Sequence, residues 1–392
     1  MRPAARATAL ITLALLSWPL SCCCDEPECG DDTRDPFELC YEDTRAGLSS
    51  TQDMPYALRV GRFDDDIYND ILVVGLTDGL VHADLLRGKK DGSFADPRPV
   101  TVDGSTAYPI AGDLDADERE DLVFGMGTQG VLAYFAQPSG DFGPPLALPT
   151  LIDLRQIAVA DVDGDGRRDI LVLGVDPVSL APALSFLQST TAGFAPAFVT
   201  VLPVPEIPNF APLAMLPARR ARDEGFEVLL TQPGRRNAVA RTRYAGAATF
   251  APAERLAIDV ELAGLALRDL DGDDTLDLLA GDAESGEVAT YFASGDSFTA
   301  GPRTDLGTSE WQSLTLAHLD DDGWLDLAVA RGARVGLWRG GGDGTFAHGA
   351  DLDLPAEVVE LVLYDLNDDA RADLIAGTYA AENPITLVFS GP

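Results

Sequence analysis

The feature that most constrains this chain is an acidic motif that returns about every fifty residues. Its clearest copy reads Asp161-Val162-Asp163-Gly164-Asp165-Gly166-Arg167-Arg168-Asp169, followed by the apolar run Ile170-Leu171-Val172-Leu173-Gly174. Three more copies keep a polar oxygen at the first, third, fifth and ninth places: Asp113, Asp115, Asp117 and Asp121; Asp269, Asp271, Asp273 and Asp277; Asp365, Asn367, Asp369 and Asp373. Two copies lack the first acid. One has Arg62 there and keeps Asp64, Asp66 and Asp70; the other has His318 and keeps Asp320, Asp322 and Asp326. A seventh, degenerate copy around Arg219 to Glu227 keeps its strand, Glu227-Val228-Leu229-Leu230, but has lost most of the acids.

The ninth-place acids fall at 70, 121, 169, 227, 277, 326 and 373, which sets the unit at about fifty residues and the copy number at seven. Within a unit an apolar strand such as Gln156-Ile157-Ala158-Val159-Ala160 enters the acidic loop and a second strand leaves it. A third alternating strand follows, for example Gly130-Val131-Leu132-Ala133-Tyr134-Phe135. A Gly-x-Phe-like turn, as at Gly92-Ser93-Phe94 or Gly344-Thr345-Phe346, then opens an outer strand. Four short strands per unit and no helical period predict an all-β chain, a seven-bladed β-propeller of ~50-residue four-stranded blades. The last unit ends at Pro392 without an outer strand. The missing strand is expected from the N-terminal side, roughly Leu39 to Ser49, so that the last blade is closed by an N-terminal strand and leaves no exposed edge.

These residues resemble the FG-GAP or VCBS repeats of the integrin α-chain type of seven-bladed β-propeller, and the resemblance covers nearly the whole chain after its leader. It implies a binding or adhesion module that uses loops on one face for protein contacts. The sixth motif place departs from the pattern: Gly166 and Gly323 fit, whereas Glu118, Asp274 and Ala370 do not. Those loops are expected to be less tightly turned, since glycine accepts positive φ at no steric cost.

Acids at places one, three, five and nine of a tight loop surround one point with carboxylate oxygens, the hard ligands that Ca²⁺ prefers; Mg²⁺ fits such a cage less well. Calcium is therefore expected at the loops 113–121, 161–169 and 269–277, more weakly at 365–373 with its neutral Asn367, and in some measure at Asp64, Asp66 and Asp70 and at Asp320, Asp322 and Asp326. None is expected in the fourth unit. An EF-hand is excluded because the twelfth place, which must be a bidentate Glu, holds Phe124, Val172, Ala280 and Ala376 in the four full copies.

The chain carries 64 acidic against 28 basic residues, a formal net charge of −36, with 46% hydrophobic residues. That apolar share excludes a disordered acidic tail, and the charge disfavours nucleic acid and polybasic-type membrane docking. Arg2 and Arg6 before the apolar run Ala9 to Leu16 predict a signal peptide over 1–21, too short to span a bilayer. Leu20-Ser21-Cys22 resembles a bacterial lipobox, which implies lipidation of Cys22 and an outer-membrane or cell-surface lipoprotein; cleavage and secretion is the alternative. Residues 22–50 form a Cys-rich segment with the closing strand, and 51–392 the propeller. All five cysteines precede residue 41. The run from Cys29-Gly30-Asp31 to Leu39-Cys40 resembles short segments near the front of exported bacterial repeat proteins, which makes Cys29–Cys40 the first-choice disulfide.

Catalysis has little support. The three histidines, His82, His318 and His348, read as surface or strand residues, and no Gly-x-Ser-x-Gly elbow, His-Glu-x-x-His helix or phosphate loop occurs. The chain is read as a non-enzymatic, monomeric binding module for a protein or, alternatively, a glycan; a calcium-dependent polysaccharide lyase is the remaining alternative. Trp311, Trp324 and Trp338 offer aromatic platforms, two of which are expected to pack strands.

Overall fold

Alternating and continuous apolar runs of four to eight residues, broken by Gly, Pro and Asp, make short strands, and the strands assemble blade by blade. The computed structural model describes residues 41–390 except 49, 51–53, 78–79, 103–108, 126–129, 220–224, 308–310, 368 and 381–382. The expected signal peptide, the lipidation at Cys22 and the Cys29–Cys40 disulfide lie outside the described residues. Seven four-stranded antiparallel meanders form a ring. From inner to outer strand, blade 1 is Met54–Gly61, Asp70–Thr77, Leu80–Leu86 and Arg98–Val100; blade 2 is Ile110–Gly112, Asp121–Gly125, Val131–Tyr134 and Leu146–Leu148. Blade 3 is Ile152–Ala160, Asp169–Val175, Pro182–Leu187 and Phe198–Val201; blade 4 is Ala214–Arg219, Phe226–Thr231, Val239–Gly246 and Glu254–Leu256, with Thr249–Phe250 added. Blade 5 is Leu262–Arg268, Asp277–Asp282, Glu287–Ser294 and Ser297–Asp305; blade 6 is Ser313–Ala317, Asp326–Arg331, Arg334–Gly340 and Phe346–Asp353. In blade 7, Val358–Tyr364, Asp373–Thr378 and Ile385–Ser390 are joined by Tyr41–Leu48 as the fourth strand.

The closure expected from the sequence is therefore present. Tyr41–Leu48 runs antiparallel to the last strand of the chain, with Tyr41 opposite Ser390 and Leu48 opposite Ile385. The two ends of the described chain sit in one sheet, so the ring cannot open without breaking backbone hydrogen bonds. Inner strands of successive blades touch around the whole circle, blade 7 against blade 1 included.

Each pair of neighbouring blades encloses its own apolar cluster. Between blades 7 and 1, Leu58, Ile71 and Val73 meet Ile375, Ile385 and Leu387; between blades 2 and 3, Val123 and Val131 meet Ile157 and Val172. The second strand of a blade is covered on both faces, which is why Ile71 to Val74 and Ile170 to Leu173 are continuous apolar runs and are fully buried. At roughly 1.5–3 kcal/mol for each such side chain removed from water, these strands hold the blades together. The residues that ruled out an EF-hand, Phe124, Val172, Ala280 and Ala376, are all buried in second strands.

Candidate metal centres

The acidic motifs occupy the turns between first and second strands, and the meander places all of them on one face of the ring. The ninth-place acid begins the second strand and is buried in six blades: Asp70, Asp121, Asp169, Asp277, Asp326 and Asp373 are at most 1% exposed. Its two oxygens hold two distant pieces of backbone. Asp169 Oδ2 accepts from Val162 N at 2.9 Å and Oδ1 from Ser189 N at 2.8 Å. Asp121 does the same with Leu114 N and Ala136 N, and Asp70 with Phe63 N and Gly88 N. Asp277, Asp326 and Asp373 repeat the arrangement. The acid thus ties the start of its loop to the end of the third strand.

Burial drives these carboxyls upward in pKa, outweighing the two amide hydrogen bonds, and the neighbouring acids push the same way. Asp70 and Asp169 reach about 6 and Asp121 about 7; Asp277, Asp326 and Asp373 are raised as well. Protonation or a bound cation relieves the same stress.

The first acid shapes the turn. Asp161 Oδ1 and Oδ2 accept from the N–H groups of Gly164 and Gly166, at 2.7 and 3.1 Å. Asp269 accepts from Gly272 and Asp274, Asp113 from Asp117 and Glu118, and Asp365 from Asp369 and Ala370. In five of the loops the sixth place takes positive φ whether or not it is glycine: 86° at Gly166, 83° at Gly323, but also 71° at Glu118, 64° at Asp274 and 71° at Ala370. The looser turning expected at the three non-glycine positions does not occur. The carboxylate that grips the sixth N–H imposes the same turn, and the side chain bears the left-handed strain.

Among the described residues, three loops bring acids to a common point, with one ligand oxygen from each within 4.8 Å of the others: Asp113, Asp115 and Asp121; Asp161, Asp163 and Asp169; Asp269, Asp271 and Asp273. The fifth-place acid divides these loops. In blades 2 and 3 Asp117 and Asp165 are ion-paired to the arginine two residues on, Arg119 and Arg167. Blade 5 has Thr275 there, and Asp273 joins the cluster in place of Asp277. In blade 7 Asn367 Nδ2 reaches Asp369 Oδ2 at 3.3 Å, and Asp369 also accepts from Ser390 Oγ. In blade 1 Asp64 faces Arg87 at 3.4 Å while Asp66 accepts from Tyr68 N. In blade 6 Asp320 is buried and pushed up to about 7 by burial and by Asp326 and Asp322 beside it.

The donor set fits a hard cation. Every ligand candidate is an oxygen, and among the described residues of the acidic loops the buried Asp271 Oδ1 and Asp320 Oδ2 have no hydrogen-bond partner. A buried acceptor left unmade is costly, and a cation satisfies it. In blade 4 the corresponding acid meets guanidinium groups: Glu227, 2% exposed, lies 3.7 Å from Arg241 Nη1 and 3.7 Å from Arg243 Nε.

Sequence reasoning missed the seventh motif place. Arg119 Nη1 crosses from blade 2 to Asp65 of blade 1 at 2.7 Å, and Arg371 Nε from blade 7 to Asp321 of blade 6 at 3.5 Å. Trp324 of blade 6 lies against Gly272 of blade 5, and Arg219 of blade 4 lies over Gly164 of blade 3 and donates to the Asp161 and Val162 carbonyls. Four seams on this face are thus stapled to the fourth place of the preceding loop, three from a seventh place and one from Arg219 at the end of the first strand of blade 4. The recurring arginine at 119, 167 and 371 was the available signal.

Residues 113–172, which contain two of the three carboxylate clusters, match the FG-GAP-like repeat family. No curated protein matches the chain in sequence. Among solved structures it is similar to an Agrocybe aegerita lectin recognising non-reducing terminal N-acetylglucosamine, at 16% identity and TM-score 0.56, covering 86% of each chain. It is similar to Sqt1 of Saccharomyces cerevisiae, at 11% identity and TM-score 0.54, covering 87% of this chain and 96% of that one. It is also similar to the periplasmic gluconolactonase of Pseudomonas aeruginosa, at 13% identity and TM-score 0.50, covering 76% and 85%. At these identities the likeness is one of fold. The ring of seven sheets and the match at its second and third acidic loops make this chain a seven-bladed β-propeller with an FG-GAP-like repeat.

Proposed function

We propose that the chain is an exported, calcium-stabilised, non-catalytic propeller that acts as a binding or adhesion module for a protein at the cell surface. The observation that carries the calcium reading is the convergence of Asp113, Asp115 and Asp121, of Asp161, Asp163 and Asp169, and of Asp269, Asp271 and Asp273 within 4.8 Å. Calcium would neutralise carboxylates that burial and mutual repulsion disfavour, and would fix the turn that enters each second strand.

The opposite face suits the partner. Its loops and strand ends expose Leu80, Val178, Leu180, Leu213 and Tyr379, with Val178 at 89% and Leu180 at 71%. Apolar side chains on the face away from the acidic loops are what a protein partner would cover. The histidines support a non-catalytic reading: His82 is exposed on a third strand, His318 Nδ1 donates to the Trp324 carbonyl, and His348 stacks edge-on against Trp338.

Metal counting on the mature chain, together with melting in calcium and in excess chelator, tests the calcium reading. Three or more calcium ions per chain and a melting temperature lowered by many degrees in chelator are expected; no bound calcium and an unchanged melt would refute it. Capture of an envelope protein that is lost on Val178→Asp and Leu180→Asp tests the binding face.

A second reading has one observation in its favour. A cleft of about 280 Å³ between blades 1 and 2 is lined by Tyr134, Phe142, Arg98 and Asp141, aromatic and polar groups suited to a sugar. Retention of a saccharide on a glycan array, lost on Phe142→Ala, would favour the lectin function over protein binding.

A further inference from the structure

Of the three tryptophans set out as platforms, two are spent in packing. Trp338 is 3% exposed, and Trp311 lies half-buried against the cluster between blades 5 and 6. Trp324 is 38% exposed on the acidic-loop face. Its ring rests on backbone that only glycine allows to approach: a Cβ on Gly272 would lie 3.1 Å from Trp324 Cζ3, and one on Gly342 would collide with the indole. Its own amide is held by Asp322 Oδ1 at 2.7 Å. The indole is therefore supported from blade 5 and from its own blade, with part of its surface turned to solvent.

The groups flanking that indole are acidic. Asp274 lies beside Gly272, outside the Asp269, Asp271 and Asp273 cluster, Asp321 and Asp322 precede Trp324 in its loop, and Asp343 follows Gly342; Asp274, Asp321 and Asp343 are exposed. Arg371 reaches Asp321, but it is only 8% exposed and belongs to the next blade.

Blade 6 already shows what such a combination holds. The Arg331 guanidinium lies 5.4 Å from the centre of the Trp338 ring and 3.0 Å from Asp351. An indole face and a carboxylate together hold a partly exposed guanidinium there.

We propose that Trp324 and the acids around it form an outward-facing recognition site for a guanidinium or ammonium side chain of a basic partner segment. Charge complementarity chooses this occupant. The indole quadrupole attracts a cation, the surrounding carboxylates pair with it, and an acidic or phosphorylated segment would be repelled. The site lies on the acidic-loop face and is independent of the apolar opposite face.

The test uses the mature chain with two labelled peptides, one alternating Arg and Gly, the other alternating Glu and Gly, and with a neutral glucose oligosaccharide. Binding is measured at low and high salt, with calcium and with chelator. The Arg peptide is expected to bind, to weaken as salt rises, and to lose about tenfold in affinity on Trp324→Ala. Trp324→Phe should keep most of the affinity. Trp324→Leu, which retains an apolar side chain over the glycines, should lose it while melting like the parent. The proposal is overturned if Trp324→Leu binds the Arg peptide as the parent does, which would leave only long-range attraction to the anionic ring. It is overturned equally if the neutral oligosaccharide binds in a Trp324-dependent way and the Arg peptide does not. The calcium reading fails separately, by an unchanged melt in chelator.

Discussion

Blades 3 and 4 are neighbours built on the same four strands, yet they settle the same electrostatic problem in opposite ways. Each begins its second strand with a buried acid. Asp169 of blade 3 stands beside Asp161 and Asp163, whereas Glu227 of blade 4 stands beside Arg241 and Arg243. The surrounding sequence follows suit: residues 151–213 carry three arginines against seven acids, and residues 214–268 carry nine arginines against six acids. Blade 4 thus supplies its own cation as a side chain, while blade 3 presents oxygens that an external cation would have to neutralise. One architecture tolerates both solutions because the acid's burial comes from the strand, and only its partner is open to substitution.

The sharpest way to break the comparison is to remove calcium and follow each blade separately. If an ion fills each of the three clusters, each contributes about 2.7 kcal/mol at a hundredfold excess over its dissociation constant, so chelation should cost the chain several kcal/mol. Hydrogen exchange in chelator should accelerate at Leu122 to Phe124, Ile170 to Val172 and Leu278 to Ala280, and far less at Val228 to Leu230 of blade 4. Uniform acceleration across all seven blades would remove the distinction.

The reciprocal experiment attacks blade 4. Arg241 is 4% exposed, pairs with Glu227 and Glu254, and donates to the Asp296 carbonyl at 2.7 Å. Arg241→Ala removes the buried one of the two guanidiniums that face Glu227, leaving the half-exposed Arg243 at the same 3.7 Å, and should cost about 3–5 kcal/mol in chemical denaturation. The loss should be the same with and without calcium. A calcium-dependent loss would mean that blade 4 also holds a metal.

Acid titration distinguishes the two solutions by sign. A carboxyl whose folded pKa exceeds its unfolded value favours folding when protonated, and that advantage disappears as pH rises through the folded pKa. Asp70, Asp121 and Asp169, at about 6, 7 and 6, place this window between pH ~4 and ~7. In chelator the melting temperature should fall by several degrees as pH rises from 5 to 8. In saturating calcium the slope should flatten or reverse, because the metal binds the ionised form. Parallel slopes in the two buffers would argue that these acids never meet a cation.

How much of this was legible beforehand depends on whether the signal was periodic. The fifty-residue spacing of ninth-place acids pointed to seven strand–loop–strand units, and the closing strand expected from the N-terminal side is Tyr41–Leu48. The pairing of Asp117 with Arg119 and of Asp165 with Arg167 was not anticipated, although both partners stand two residues apart in the sequence. A motif read as a ligand list treats its acids as equivalent; the fold makes the ninth a backbone clamp and leaves the fifth free to follow the nearest cation. The staples from Arg119 to Asp65 and from Arg371 to Asp321 join residues about fifty apart and become visible only once blades are placed side by side.

The smallest expected effect concerns the sixth place of the loop, where the comparison becomes one between glycine and everything else. Ala370 is exposed and held at φ 71°, and Asp274 at 64°, by the N–H grip of Asp365 and Asp269. An L-residue in that region carries about 1–2 kcal/mol of strain, partly offset by the greater unfolded-state freedom of glycine. Ala370→Gly and Asp274→Gly should therefore each stabilise the chain by about 0.5–1 kcal/mol. Gly166→Ala, the reverse change in blade 3 at φ 86°, should destabilise it by a similar or larger amount. Ala370→Gly is the cleanest of the three because it removes one exposed methyl and leaves the Asp365 hydrogen bonds in place. Melting the variants in calcium and in chelator shows where the strain is borne. Stabilisation in both buffers means that the first acid alone enforces the turn, and stabilisation only in calcium means that a bound ion holds the backbone there.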